Sequence, residues 1–461
     1  MTDTDFSVLD LKPPLLTNLS SLGYQQMTPI QQLSLPPILA GQDVIGQGKT
    51  GSGKTAAFGL GILQKLDVSD FQMPQALVLC PTRELADQVA KELRRLARTL
   101  PNIKILTLCG GVPFAPQSHS LDKGGHIVVG TPGRIDDHLR RKTLTLSALT
   151  TLVLDEADRM LDMGFQDSID RIIQPLPKKR QTLLFSATYP QSIEAIARRV
   201  MKNPQRVEAP SVHDSATIKQ YFYRVPPDNR LTALRLLLAE YKAISALIFC
   251  NTKRDTVEVA EDLKKGGFSA LALHGDLDQK ERDQALIRFS NQSVAVLVAT
   301  DVAARGLDIE SLDMVINYQV AHDPEVHVHR IGRTGRAGGR GVACTLYGDR
   351  DMAKIMALKL GINPERDADP LPPMSLLEKS PKKPLMATLR IDGGKKQKLR
   401  PGDIVGALTG EGGIAGYQVG KIHVSSNWSY VAVNRQVTKA ALDKLGRGKL
   451  KGRSFRVRLI A

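Results

Sequence analysis

The sequence predicts an α/β chain: two parallel-sheet domains in tandem, followed by a small α+β domain. Three observations predict it. Short runs rich in Val, Ile, Leu and Ala alternate with helical stretches through the first two thirds of the chain. The alternation breaks near Asn203-Pro204 and restarts near Ala246. A proline-rich stretch then leads into a last segment that carries most of the positive charge.

The first domain is assigned to residues 1–207. Its strands are read at 76–80, 104–109, 126–130, 152–155 and 182–185, with a short one at 43–46. Between them, 84–100 places apolar residues three and four apart, the spacing of one helix face. Strands alternating with helices build a parallel sheet covered on both faces, so its strands read as continuous apolar runs. The second domain, residues 216–365, repeats the pattern at 246–250, 269–274, 295–299, 314–317 and 342–346. Residues 366–384 hold Pro370, Pro372, Pro373, Pro381 and Pro384 among charges and are read as a linker. The last domain, 385–461, reads as strand, helix opening at Pro401, two strands, helix and strand, a ferredoxin-like β-α-β-β-α-β order.

Composition narrows the function. The 461 residues carry a net charge of +16. From Pro381 onward there are 17 Lys and Arg against 4 Asp and Glu, so the excess is concentrated in one small domain. That distribution points to nucleic acid as a partner. Cys80, Cys109, Cys250 and Cys344 stand alone, with no C-x-x-C pair to suggest structural zinc. The polar, acidic N-terminus is unlike a signal peptide, and no apolar run reaches the ~20 residues of a membrane helix. A cytoplasmic monomer without membrane contact is expected.

Gly48-Lys49-Thr50-Gly51-Ser52-Gly53-Lys54-Thr55 fits the phosphate-loop pattern G-x-x-x-x-G-K-[ST]. Glycines let backbone N–H groups reach phosphate oxygens, Lys54 would reach the β- and γ-phosphates, and the Thr55 hydroxyl would hold Mg²⁺. The flanking strand and helix set it apart from an ordinary glycine-rich turn. About one hundred residues on, the apolar run 152–154 meets Asp155-Glu156-Ala157-Asp158. A carboxylate at the C-terminal end of a parallel strand lies at the ligand edge of such a sheet. Asp155 would bind Mg²⁺ and Glu156 would orient and deprotonate the attacking water. The cofactors expected are therefore ATP and Mg²⁺.

These motifs resemble the DEAD-box RNA helicases, and the likeness runs from about residue 6 to residue 350. It implies two RecA-like domains. Gly23 to Gln31, with Phe6 upstream, looks like the segment that recognises adenine in that family, with Tyr24 and Gln31 in the site. Residues 81–85, Gly110-Gly111 and 131–134 match the RNA-backbone motifs, which implies RNA contacts from Thr82, Arg83, Gly111, Thr131, Gly133 and Arg134. Ser186-Ala187-Thr188 matches the motif that couples hydrolysis to movement, with Asp158 and His329 in the same role. In the second domain the motifs imply RNA contacts from Arg282 and Thr300, a ribose contact from Asp308, and arginine fingers at Arg333 and Arg336. Arg330, Arg333 and Arg336 could equally form a solvated basic helix face, but His329 and two glycines make a poor ordinary helix. Gly48 departs from the pattern, since the family usually has alanine there.

Ile391 to Lys396, Leu399 to Asp403 and Gly406 to Thr409 resemble the DbpA-type subfamily. That likeness implies an RNA-recognition-motif-like domain anchored on 23S ribosomal RNA and a role with large-subunit precursors. Alternation sorts the last domain's strands. Leu389, Ile391, Val431, Val433, Phe455, Val457 and Leu459 are expected in the core. Thr388, Arg390, Tyr430, Arg456 and Arg458 are expected on an open sheet face that binds RNA, with Trp428 nearby as a reporter. Loop cations Lys395, Lys396, Lys398, Arg400, Lys449, Lys451 and Arg453 are further RNA candidates. The function expected is RNA-stimulated ATP hydrolysis that unwinds short duplexes. A nucleotide-gated RNA clamp and a DNA-unwinding enzyme are the alternatives.

Overall fold

The computed structural model describes residues 4–48, 51–209, 218–304, 312–335, 341–358 and 360–460. Lys49, Thr50, Asp308 and Arg336 lie outside the described residues. The chain divides into two compact units, one within residues 4–209 and one within 218–460.

The first unit is built on seven strands: β1 (Val44–Gln47), β2 (Ala76–Leu79), β3 (Ile105–Leu108), β4 (Ile127–Gly130), β5 (Thr151–Asp155), β6 (Gln181–Ser186) and β7 (Gln205–Glu208). They pair in the order β3-β4-β2-β5-β6-β1-β7, all parallel. Both sheet faces are buried, which explains the continuous apolar runs. Along β2, Ala76 and Val78 enter one core and Leu77 and Leu79 the other. The helix Arg83–Leu96 shows why its segment is helical. Thr82 caps it by accepting from Leu85 N, Glu84 sits in the first turn, and Arg94 and Arg95 sit in the last, matching the helix dipole. Its buried stripe runs Leu85, Ala86, Val89, Ala90, Leu93 and Leu96. Strand β7 lies in the stretch read from sequence as a polar break. Only Val207 of its four residues is buried, so an edge strand leaves little apolar signal.

The second unit contains two sheets. Six parallel strands, β8 (Ile218–Arg224), β9 (Ala246–Cys250), β10 (Ala270–Leu273), β11 (Val296–Thr300), β12 (Met314–Asn317) and β13 (Gly341–Tyr347), pair in the order β10-β11-β9-β12-β13-β8. The C-terminal domain adds β14 (Met386–Ile391), β15 (Val419–Val424), β16 (Ser429–Asn434) and β17 (Val457–Ile460). These form an antiparallel sheet ordered β15-β16-β14-β17, with the helices Pro401–Thr409 and Thr438–Arg447 contributing Ile404, Leu408, Ala441 and Leu445 to its core. The architecture is therefore two RecA-like parallel-sheet domains and a small α+β domain.

The proline-rich stretch lies against the second parallel-sheet domain. Asp369 Oδ2 accepts from Phe222 N at 2.6 Å, and Asp369 N donates back to the Phe222 carbonyl at 2.7 Å.

Two expectations for the C-terminal domain are corrected. Leu459 keeps 44% exposure. Strand β17 is an edge strand with a neighbour on one side only, so its inward pattern ends without full cover. The sheet face around Thr388 and Tyr430 is not open. Thr388 and Tyr430 are 0% and 1% exposed. The Thr388 hydroxyl lies 3.2 Å from Asn291 Nδ2 and 2.7 Å from Ser293 Oγ, both in the second parallel-sheet domain. Tertiary docking overrides the solvent-facing half of the strand alternation here.

Candidate functional site

Chain folding gathers the first unit's predicted residues on one edge of its sheet. Parallel strands all end on the same side, and the loops leaving their C-terminal ends form the ligand edge. Neighbours β5, β6 and β1 deliver Asp155-Glu156, Ser186 and the phosphate loop. Neighbours β3, β4 and β2 deliver Gly111, Thr131 and Thr82. Nucleotide and RNA candidates thus share one edge and divide it.

A cavity of about 280 Å³ is lined by Tyr24, Gln31, Lys54, Thr55, Asp155 and Glu156, among others. Lys54 opens the helix Lys54–Lys65 and is buried, its Nζ donating to the Gly48 carbonyl at 2.6 Å. Gly51 and Gly53 have φ of 86° and 98°, a region that favours glycine. Gly53 is required a second way: a Cβ there would come within 2.5 Å of Gln31 Nε2. Gln31 donates to the Gly53 carbonyl at 3.1 Å and accepts from Thr28 N at 2.9 Å, tying the upstream segment to the phosphate loop. At Gly48 a Cβ would come within 3.1 Å of Ser52 Oγ, so glycine relieves crowding where the family usually has alanine. Phe6 is buried and meets Tyr24 edge to face at 6.1 Å, while Tyr24 donates to Glu92 Oε1 at 2.6 Å. Burial, with Glu92 adding, pushes the Tyr24 hydroxyl up to about 12.

Asp155 and Glu156 are 2% and 3% exposed. Burial raises the Asp155 carboxyl to about 7 against the opposing pull of Lys54. Its Oδ1 is buried with no hydrogen-bond partner. An orphaned carboxylate oxygen, sharing a cavity with the Thr55 hydroxyl, is the donor chemistry a hard cation takes, so these residues fit Mg²⁺. Glu156 has φ 51°, an uncommon region for a residue with a side chain, and its Oε2 accepts from Arg159 Nη1 at 2.7 Å. Asp158 Oδ2 accepts from Ala187 N at 3.2 Å, Thr188 N at 3.0 Å and Thr188 Oγ1 at 3.0 Å. The acidic motif and the Ser186–Thr188 segment are one hydrogen-bonded piece. Ser186 is buried beside it.

On the other half of the edge, Thr131 Oγ1 accepts from Gly110 N at 3.4 Å and Arg134 Nη2 donates to the Val112 carbonyl at 3.0 Å. Arg83 and Gly133 sit on the first turns of their helices, and a Cβ at Gly133 would meet nothing within 4 Å.

In the second unit, Thr300 ends β11 and its Oγ1 accepts from Ala303 N, while Arg282 donates to the Ala303 carbonyl at 2.8 Å. Arg330 and Arg333 do not lie on a solvated helix face. Arg330 is 1% exposed, pairs with both oxygens of Asp301 at 2.7 Å, and also donates to Asn317, Gln319 and Asn251. Asp301 is thus engaged with Arg330 inside its own domain. Arg333 is 4% exposed just beyond the helix Pro324–Ile331, which carries His329.

In the C-terminal domain, Lys395, Lys396, Lys398, Arg400, Lys449, Lys451 and Arg453 are all exposed. Lys451 is partly engaged, donating to the Lys398 carbonyl and lying 3.3 Å from Asp403. Tyr430, expected to bind RNA, is buried instead, and burial raises its hydroxyl pKa, with Asp283 of the second parallel-sheet domain contributing. Trp428 lies 4.9 Å under Arg390 and 6.0 Å from Lys280 Nζ of that domain, so it sits at the junction. Arg159 and Glu92 join the site without being part of the motif residues named above. Arg159 was legible as the residue three after Glu156. Glu92 is 68 residues from Tyr24, with no local signal.

The chain matches the DEAD/DEAH box helicase family over residues 28–196, the helicase conserved C-terminal domain over 229–338 and the DbpA RNA binding domain over 388–459. A structure of S. cerevisiae Dbp5 bound to RNA and ADP BeF3 is 31% identical and covers 82% of this chain and all of that one, with a TM-score of 0.69. The DEAD-box ATP-dependent RNA helicase CshA of Bacillus cereus is 44% identical over 353 residues, 76% of this chain and 67% of that protein. With the buried acidic pair facing the phosphate loop, these place the chain in the DEAD-box family of ATP-dependent RNA helicases. Within that family it is DbpA-like: the ATP-dependent RNA helicase DbpA of Escherichia coli is 55% identical over 461 residues, 99% of this chain and 100% of that protein.

Proposed function

We propose that this helicase hydrolyses ATP to open short RNA duplexes on 23S ribosomal RNA during large-subunit assembly in the cytoplasm, as a monomer held there by its C-terminal domain. The observation that carries the reading is the joint one: an ATP site hydrogen-bonded through Asp158 to Thr188, in a chain whose last domain presents seven exposed candidate cations. Residues 1–207 and 216–365 form the helicase core, 366–384 the connection and 385–461 the anchor.

Adenine is taken by Phe6, Tyr24 and Gln31, and the phosphates by residues 48–55. Thr55 and Asp155 would hold Mg²⁺, which neutralises phosphate charge when bound. Glu156 orients the attacking water and accepts its proton. Arg333 and Arg336 approach the γ-phosphate, and Asp308 the ribose, when ATP and RNA draw the two domains together. Thr82, Arg83, Gly111, Thr131, Gly133, Arg134, Arg282 and Thr300 hold an RNA strand in a bent form that a duplex cannot adopt. Asp158, Ser186, Thr188 and His329 couple that state to hydrolysis.

ATPase activity measured with 23S ribosomal RNA, with unrelated RNA and without RNA tests this. Strong stimulation by 23S RNA is expected, together with ATP-dependent strand displacement. Equal stimulation by unrelated RNA would overturn the rRNA assignment, and RNA retention without displacement would make the chain a clamp.

A further inference from the structure

The C-terminal sheet has two faces. One is covered by two helices, and the other meets the second helicase domain around Thr388 and Tyr430. Arg456 and Arg458 stay exposed beside that contact, and the helical layer and loops offer most of the domain's other exposed cations. That layer carries a groove of about 690 Å³ between the helices Pro401–Thr409 and Thr438–Arg447.

One wall is cationic. Ala440, Asp443, Lys444 and Arg447 recur at i, i+3, i+4 and i+7, so they share one face of their helix, while Ala441 and Leu445 enter the core from the other. Lys449 continues the wall beyond the helix end. Among the described residues, Asp443 is the one carboxylate lining the groove. Lys444 Nζ donates to the Glu411 carbonyl, and an ammonium has two further donors to offer. The opposite wall is Gly406, Ala407, Gly410 and Gly412. Gly406 stands inside a helix, where glycine costs about 1 kcal/mol relative to alanine. A Cβ at Gly406 would meet nothing within 4 Å, so the protein's own packing does not call for glycine. Without a side chain, that wall is open to close approach by an external backbone.

We propose that this groove binds the phosphodiester backbone of RNA, with Lys444, Arg447 and Lys449 on the phosphates and the strand lying against the glycine wall. The proposal rests on the reading of this domain as the RNA anchor, and charge complementarity selects the occupant. Lys444 and Arg447 did not stand out in the sequence, because each is an ordinary residue until the two helices are set side by side.

The test uses the full chain, a 23S ribosomal RNA transcript, and binding measured across a salt series. Lys444→Glu with Arg447→Glu should weaken binding at least about tenfold and lower the salt slope by about 2, since each phosphate contact contributes about 1. Gly406→Leu should weaken binding with every charge retained, and its thermal unfolding should match or exceed the wild type because leucine is the better helix former. Wild-type affinity and slope in both variants would overturn the groove. If Lys395→Glu with Lys396→Glu then loses binding, the anchor reading stands with RNA on that loop. If it too binds like wild type, the anchor reading falls with the groove.

Discussion

Replacing Thr388 with valine should loosen the C-terminal domain from the second helicase domain. Thr388 is fully buried, and its hydroxyl meets Asn291 Nδ2 at 3.2 Å and Ser293 Oγ at 2.7 Å. Valine keeps the shape and removes the hydroxyl. Ser293 Oγ retains its bond to the Arg288 carbonyl at 3.0 Å, so the loss falls chiefly on Asn291, whose Oδ1 already has no partner. Leaving one buried polar group unsatisfied costs about 1–3 kcal/mol. That shifts the docking equilibrium by roughly 5–150-fold. Trp428, the only tryptophan of the chain, lies 6.0 Å from Lys280 Nζ across the same junction and reports the change. In a urea titration, the Thr388→Val fluorescence transition should move to lower urea and separate from the loss of helical signal. Thr388→Ser, which keeps the hydroxyl, should stay near wild type. An unchanged spectrum and midpoint in Thr388→Val would show that these hydrogen bonds do not hold the domain.

Three further outcomes are expected. Lys54→Ala should nearly abolish ATP hydrolysis while RNA binding by the C-terminal domain persists, and wild-type turnover would refute the phosphate-loop assignment. Arg333→Ala should lower kcat by up to about 10³–10⁵ with nucleotide still bound, as for arginine fingers elsewhere, and an unchanged kcat would assign it a structural role. Burial holds His138 and His327 near pKa 4, well below the ordinary 6.5. Unfolding restores the ordinary value, so the unfolded chain takes up protons first as pH falls. Their contribution to stability should be intact above pH 6.5, decline from there to about pH 4, and level off below. Melting curves of wild type and His138→Gln should therefore converge toward pH 4, and a pH-independent gap between them would contradict this.

The grouping of the candidate ATP residues was legible because each motif is local. Residues 48–55 are one loop, Asp155 to Asp158 one strand end, and buried parallel strands announce themselves as apolar runs. The sequence reading placed Asp155 at the ligand edge, and the strand order of the structure brought the RNA candidates to the same edge. Edge strands were less legible: β7 buries only Val207, and Leu459 kept its inward pattern without full cover.

Which face of the last sheet meets solvent was decided by tertiary structure alone. Alternation divides Thr388, Arg390 and Tyr430 from Leu389 and Ile391 correctly, because side chains on a strand alternate whatever lies outside. It cannot say whether the polar half meets water or another domain. Asn291 and Ser293 sit almost a hundred residues before Thr388, and nothing in their spacing marks them as its partners. The same holds for Glu92 beside Tyr24 and for Gly406 opposite Lys444. Sequence by itself determined most of the elements, the alternation of their faces and the motif positions, all of which depend on neighbours within a few residues. Tertiary structure decided which surfaces remain free to bind, because burial depends on contacts between segments far apart in the chain.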